Sequence, residues 1–370
     1  MRRLNIRISV VAVLLVIFAT VEISNEHRPS FLRPGLRLCA YISTDGGSIT
    51  VVDLVRLAAV ARVSVGPSPS GMREYPKRPE IWGVSSAGYV WILDARSNQV
   101  AMRIPVGGLP TALDFSPDGG RAYVAAFRTD SLVVVDCATR AIVGRARTGS
   151  GPVFVRLTPD GTRVIVANRN AATLGIYDAS SLALLRTIPI LPEPEQVSVL
   201  PDGSAAFVTS SQNRLLSVVD LRRNVFLTNL ELAGPASDML LKPDGGELYV
   251  ISALANGLQV VNTWTHEVGD YLLLGSTPTR GILSADSGLL YVSDSAADRV
   301  TPVLINIRRV LGPIPVGQQP SALRFTPGDS LLLVLNAGSG DLSIIRVRTN
   351  SLITMIPVGD RPNDLAVKVF

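Results

Sequence analysis

From about residue 37 onward, apolar residues come in short runs whose pattern has a period of two rather than 3.6. Ala122-Tyr123-Val124-Ala125 and Leu132-Val133-Val134-Val135 are examples. Period two is that of a β-strand with faces in different surroundings, so the pattern predicts short strands and not helices. Turn chemistry separates the runs. Pro-Asp-Gly or a relative recurs with Pro117, Pro159, Pro201, Pro243, Ala285 and Pro327 in first place, and each step is 42 residues (159 − 117 = 42). A second marker keeps step at Pro110, Pro152, Pro194, Pro278, Pro320 and Pro362, with Ala236 beside Pro235 filling the gap. A third is the residue that closes an alternating strand, at Asp94, Asp136, Asp178, Asp220 and Asn262.

Proline presets one turn angle, glycine supplies a positive φ, and the aspartate accepts hydrogen bonds from the following amides. Asp118, Asp160, Asp202 and Asp244 therefore read as turn formers, not as paired catalytic acids. Three markers sharing one period denote an internal repeat. Four strands fit in a unit, so each unit is a four-stranded meander, and stacked units of this length suit a β-propeller blade. The WD-type signature is missing around Trp82, Trp91 and Trp264, and kelch units are longer.

Residues 37 to 370 number 334, and 334/42 is close to 8, so the expectation is an all-β propeller of about eight four-stranded blades, with seven as the alternative. Residues 37–66 hold only the last three strands of a unit. The missing first strand matches Asp360 to Phe370, which should pair with 37–66 and close the ring, removing both open edges. The unit at 67–107 is irregular, because Pro-Ser-Pro-Ser-Gly-Met-Arg-Glu-Tyr-Pro-Lys-Arg-Pro replaces its normal first turn.

The first residues stand outside the repeat. Arg2, Arg3 and Arg7 precede an uncharged stretch from Ile8 to Val21 that Glu22 ends, the layout of a signal peptide or short anchor over residues 1–23. Fourteen residues fall short of the roughly 20 needed to span a bilayer. Export to the periplasm, cell surface or medium is expected either way, with residues 8–21 as the anchor if uncleaved. Residues 24–36, with Pro29 and Pro34, read as a tether, and 37–370 as the propeller domain.

Composition narrows the chemistry. The net charge of +5 loses three units with the leading arginines, and the rest are scattered without a basic run, which argues against nucleic acid. Two Cys and two His cannot supply a zinc cage or a disulfide framework. Cys39 reads as a buried strand thiol, and Cys137 lies in a turn two blades away, too far for a disulfide. His27 falls in the tether and His266 in a turn on the face opposite the usual binding side, so no Ser-His-Asp triad or axial haem ligand can be assembled. No metal, cofactor or catalytic residue is expected, and a monomer is.

Ile356-Pro357-Val358-Gly359-Asp360-Arg361-Pro362, Val133-Val134-Val135-Asp136 and Val164-Ile165-Val166-Ala167-Asn168 resemble the repeat of YVTN-type β-propeller proteins, and the match runs over 37–370. The resemblance implies the propeller fold and an exported or surface-associated protein, with relatives among lactonase-like and cofactor-binding propellers.

Departures from the repeat carry the candidate chemistry. Two residues after the marker proline the ring reads Ala112, Phe154, Gln196, Asp238, Arg280, Ala322 and Asp364. Gln196, Asp238 and Arg280 should lie near the channel mouth, either binding a small polar or anionic ligand, with Asp364 of the same register as a further candidate contact, or pairing between blades, as Asp114 and Arg156 would two residues deeper. The loops between second and third strands carry arginines, among them Arg128 and Arg169, which read as hairpin tips or as a surface for an acidic partner. Asp294 and Asp298 lack the oxygen count of a calcium loop. The leading functional expectation is a non-catalytic exported module that binds a protein or a small ligand. A lactonase-like hydrolase or a cofactor-binding accessory propeller, using the channel mouth, is the alternative.

Overall fold

The computed structural model describes residues 36–370. The signal-peptide or anchor reading of 1–23 and nearly all of the tether lie outside the described residues. Leu38–Val369 forms eight antiparallel sheets arranged as a propeller. Helix among the described residues is confined to three single turns at Phe127–Thr129, Ile305–Ile307 and Val347–Thr349.

Blade 1 joins the two ends of the repeat region. Its inner strand is Pro362–Val369, followed outward by Leu38–Thr44, Ser48–Asp53 and Ala58–Ser64. Cys39 pairs with Lys368, Tyr41 with Ala366 and Ser43 with Asp364, so the closure expected from the repeat arithmetic is the one observed. The inner strands of blades 2 to 8 are Pro69–Glu74, Pro110–Phe115, Pro152–Leu157, Pro194–Val199, Asp238–Leu241, Pro278–Leu283 and Pro320–Phe325. Neighbouring inner strands touch around the whole ring and so line a central channel. Blade 7 departs from four continuous strands. Its outermost strand is split into Arg309–Val310 and Ile314–Pro315, both paired with Arg299–Leu304, and the Leu311 amide bonds the Pro302 carbonyl between them.

The middle strands are covered by blades on both sides, which is why they read as nearly continuous apolar runs. Arg163–Asn168 is buried from its second residue on, while the outer strand Ile142–Arg147 alternates between half-buried and exposed. Each core cluster is shared between neighbours. Trp82, Val84 and Ile92 of blade 2 pack with Leu113, Val124 and Val133 of blade 3. Leu333, Leu335 and Ile344 of blade 8 pack with Ile42, Leu365 and Val367 of blade 1. Each fully buried aromatic or aliphatic side chain contributes roughly 1.5–3 kcal/mol.

Polar bonds lock neighbouring blades in the same places. The second-strand tyrosines reach the next blade's turn: the Tyr41 hydroxyl donates to the Ala95 carbonyl at 3.3 Å and that of Tyr123 to the Ala179 carbonyl at 2.8 Å. The Pro-Asp-Gly aspartates are turn formers as expected. Asp118 Oδ1 accepts the Gly120 amide at 2.9 Å and the Ser116 hydroxyl at 2.6 Å, and the glycine at 119, 161, 203 and 245 sits at φ between +63° and +79°. Asp136 and Asp178 each accept two amides of the next turn, and Asn262 does the same with a neutral oxygen.

The irregular unit still makes a blade. Gly71, at φ +57°, absorbs an extra residue where the register shifts between Ser70 and Arg73. The absent Pro-Asp-Gly turn is replaced by buried Glu80, which accepts Arg78 Nε at 2.8 Å, Trp82 Nε1 at 2.9 Å and Arg140 Nη2 of blade 3 at 2.9 Å. One carboxylate thereby satisfies the turn and fastens blade 2 to blade 3. Breaking such a buried group costs about 3–5 kcal/mol.

Candidate functional site

The inner strands run from the face bearing the inter-blade loops to the face bearing the Pro-Asp-Gly turns. The first face, the top, also carries the loops between second and third strands: the Arg169 amide bonds the Gly151 carbonyl at 2.8 Å, and that of Ala337 bonds Gln319 at 3.0 Å. The residue before the marker proline turns sharply there. Ser68, Leu109, Glu193, Gln319 and Arg361 all hold φ between +44° and +52°.

Gln196, Asp238 and Arg280 come together as a group. Gln196 Nε2 donates to Asp238 Oδ1 at 3.0 Å, and Arg280 Nη1 lies 3.7 Å from the same oxygen while donating to the Ser237 carbonyl at 3.1 Å. The stronger bonds of Asp238 are to backbone. Its Oδ1 accepts the Met239 amide at 3.0 Å and its Oδ2 the Gly281 amide of blade 7 at 2.9 Å. Asp364 is a separate copy of that arrangement, accepting Leu365 N at 2.8 Å and Met72 N of blade 2 at 2.7 Å. The inner strand is a sheet edge with unpaired amides, and an aspartate one blade back supplies the missing acceptor.

The expected Asp114–Arg156 pair does not form. Asp114 Oδ2 instead takes the Leu157 amide at 3.0 Å, and Arg156 lies over the Phe154 ring, its guanidinium carbon 5.3 Å from the centroid. Among the loop arginines, Arg128 is exposed on blade 3. Arg169 is tied to Glu195 at 2.6 Å and to Glu193 at 3.6 Å, both of blade 5.

Between blades 7, 8 and 1 the top face opens into a cleft of about 1030 Å³, lined by Arg280, Gln318, Gln319, Ser321, Arg361 and Asn363 among others. Asp45, the single carboxylate among the described residues of its wall, is held by Asn363 Nδ2 at 2.8 Å. The lining therefore presents guanidinium, amide and hydroxyl donors around one tethered anion. Of these residues only Arg280 was singled out by the repeat register. Gln319 and Arg361 stand 42 residues apart, each just before a marker proline, so following that position around the ring would have been the signal, whereas Gln318 has no such marker.

The opposite face has a smaller cleft, about 500 Å³, bordered by Asp118, Asp136 and Asp160. These carboxyls are held below the usual range by turn bonds, from the Ser116 hydroxyl and Gly120 amide at Asp118 and from the Thr139 amide and hydroxyl at Asp136. They are committed to structure. His266 lies on that face too, in the turn where Arg140 sits in blade 3, 6.2 Å from the Phe207 ring. Cys39 and Cys137 are both buried thiols, and burial pushes Cys137 up to about 12.

Residues 113–229 match the family model of the YNCE-like beta-propellers. The chain is a β-propeller, and this stretch of it is similar to that family. Among solved structures the propeller is similar to dihydro-heme d1 dehydrogenase NirN in complex with DHE. That match has 16% identity and a TM-score of 0.77, covering 92% of this chain and 77% of that one. It is also similar to hydrazine synthase of Kuenenia stuttgartiensis, with 19% identity, a TM-score of 0.61 and coverage of 76% and 96%. A functionally unknown protein from Desulfotomaculum acetoxidans DSM 771 matches with 12% identity, a TM-score of 0.61 and coverage of 77% and 97%. These likenesses are of fold. No curated protein matches the sequence.

Proposed function

We propose that the protein is an exported, non-catalytic binding propeller whose top cleft between blades 7, 8 and 1 holds a small polar or anionic ligand. The observation that carries this reading is the cleft's lining, in which Arg280 and Arg361 stand with Gln318, Gln319 and Asn363 around the single tethered carboxylate of Asp45. Concave sites with a few convergent polar groups are the usual ligand sites of such folds. A hydrolase would need a carboxylate or other base free to move a proton, whereas Asp238 and Asp364 each spend both oxygens on amides. Export rests on the arginine-led apolar segment at residues 2–21.

The test is a thermal-shift screen of residues 25–370 against sugar phosphates, dicarboxylates, lactones and redox cofactors, since a ligand that binds the native state raises the melting temperature. A hit lost in Arg280→Gln and Arg361→Gln supports the cleft. Lactone turnover above a buffer blank would overturn the non-catalytic reading, and a hit insensitive to both substitutions would overturn the cleft.

A further inference from the structure

Four residues after each marker position, counting Pro69 as that of blade 2 and Ala236 as that of blade 6, the inner strands present Arg73, Asp114, Arg156, Ser198, Leu240, Ile282, Arg324 and Ala366 in turn around the ring. This level lies two residues, about 7 Å of strand, deeper in the channel than Arg280. Guanidinium groups thus enter from blades 2, 4 and 8, and leucine and isoleucine occupy blades 6 and 7. Arg73 is within electrostatic reach of both Arg156 and Arg324, each two blades away on opposite sides, a proximity that arises only across the channel.

Among the described residues these three cations have no dedicated counter-ion. Arg73 Nη1 donates to its neighbour's carbonyl at Met72, at 3.0 Å, and Arg324 Nη1 to Leu323 at 3.2 Å. Arg156 stacks on Phe154 of its own strand. The two carboxylates nearby, Asp114 and Asp364, are engaged by the amides of Leu157, Met72 and Leu365, and neither forms an ion pair with the three arginines. Burial, foremost, holds the Arg73 guanidinium below its ordinary value, and the Arg156 and Arg324 charges act in the same direction against Asp364 and Asp114. A guanidinium carries five N–H donors in a planar fork. Most of that capacity is unused here, in a channel where three positive charges meet two negative ones.

We propose that the central channel at this level is a binding site for a small oxyanion, phosphoryl or carboxylate, held jointly by Arg73, Arg156 and Arg324. The site is separate from the top cleft and stands whether or not that cleft takes a ligand. An anion here would use the spare donors and offset the mutual repulsion of the arginines, so its binding should show in stability as well as in heat.

The test is calorimetric titration of the folded propeller with inorganic phosphate and, in a second arm, with citrate, both in chloride-free buffer. Parallel melting curves are taken at constant ionic strength. Arg156→Gln and Arg324→Gln should each weaken binding about tenfold or more, the loss expected for a charge-assisted hydrogen bond. Arg156→Lys should retain part of the affinity, and Arg361→Gln in the top cleft should change it less than about twofold. Phosphate preferred over citrate identifies a phosphoryl ligand, and the reverse a carboxylate. No heat with either anion would overturn the proposal, and so would equal affinity in the wild type and both glutamine variants. A phosphate-induced rise in melting temperature that persists unchanged in those variants is the general effect of a kosmotropic salt and also counts against the site. Arg156 and Arg324 bond nothing outside their own strands, so their variants are expected to fold.

Discussion

Replacing Asp238 by alanine separates backbone wiring from ion pairing. The carboxylate holds two backbone amides, Met239 and Gly281, at 3.0 and 2.9 Å, and the Gln196 side chain at 3.0 Å, and the residue is only 9% exposed. A buried donor left without an acceptor costs about 1–3 kcal/mol. Gln196 is half-buried and can turn toward water, so the loss comes mainly from the two amides and totals about 4 kcal/mol. Unfolding entropy of about 2.1 cal/mol/K per residue over 332 residues (369 − 37 = 332) is roughly 0.7 kcal/mol/K, which converts the loss to a fall of about 6 °C in melting temperature. Arg280→Ala removes an ion contact of 3.7 Å and an exposed hydrogen bond to the Ser237 carbonyl, both from a side chain 48% exposed, together worth about 1 kcal/mol and little more than ~1 °C. Asp238→Asn keeps one acceptor and should fall between the two. Differential scanning calorimetry of the three variants decides the matter. If Arg280→Ala loses as much as Asp238→Ala, or if Asp238→Ala melts within about 1 °C of wild type, the amide-capping account is wrong.

Two further outcomes follow from the turns and the ring closure. The turn aspartates Asp118, Asp136, Asp160, Asp178, Asp202 and Asp286 have folded values lowered by hydroxyl and amide donors, and Asp244 by the Gly246 amide and the Lys242 ammonium. A depressed carboxyl stabilises the fold above its unfolded value of about 4 and loses that contribution as pH falls through the folded value. The melting temperature should therefore be flat above about pH 5 and fall steadily below pH 4. Asp136→Asn with Asp178→Asn should lower it only slightly at neutral pH, where the charge-assisted part of the bonds is lost but the amide oxygen keeps the turn as Asn262 does, and should make the acid fall shallower. An acid slope identical to wild type would refute the assignment. Ending the chain after Gly359 removes the inner strand of blade 1, with buried Leu365, Ala366 and Val367 and the acceptor for the Met72 amide. A loss of at least ~5 kcal/mol follows from the apolar burial alone, so the truncated chain should be insoluble or melt at least about 7 °C lower. A soluble monomer with the wild-type melting temperature would show that the closure carries no stability.

What could be read in advance was whatever the repeat itself encodes. A 42-residue period with a unit lacking its first strand implies a ring closed by the far end, and the pairing of Tyr41 with Ala366 is that closure. The aspartate turns were legible because their chemistry is local, spanning two or three residues. The Asp114–Arg156 pairing failed because a register position says which residues lie level, not which atoms they reach. An edge strand's unpaired amide at Leu157 is a nearer partner for Asp114 than a flexible guanidinium. Arg73 was masked by the bulge at Gly71, which sits in the one unit whose first turn breaks the pattern. Glu80 lay hidden there as well, since its partner Arg140 is 60 residues distant and belongs to another blade. The cleft residues Gln318, Gln319 and Arg361 lie in connections where the repeat imposes a backbone shape but leaves the side chain open.

The pairing of Leu38–Thr44 with Pro362–Val369 also sets a clock. The first of these strands is made more than 300 residues before its partner. At about 5–20 residues per second, that interval lasts roughly 15 to 65 s. For all of that time blade 1 is a three-stranded fragment whose inner edge offers free backbone groups to any passing strand, while blades 2 to 8 can each dock on a predecessor already present. Such distant contacts form slowly even once both strands exist. The nascent protein is thus an open arc with a sticky end, and its vulnerability to aggregation is concentrated in one strand and ends with the arrival of one other.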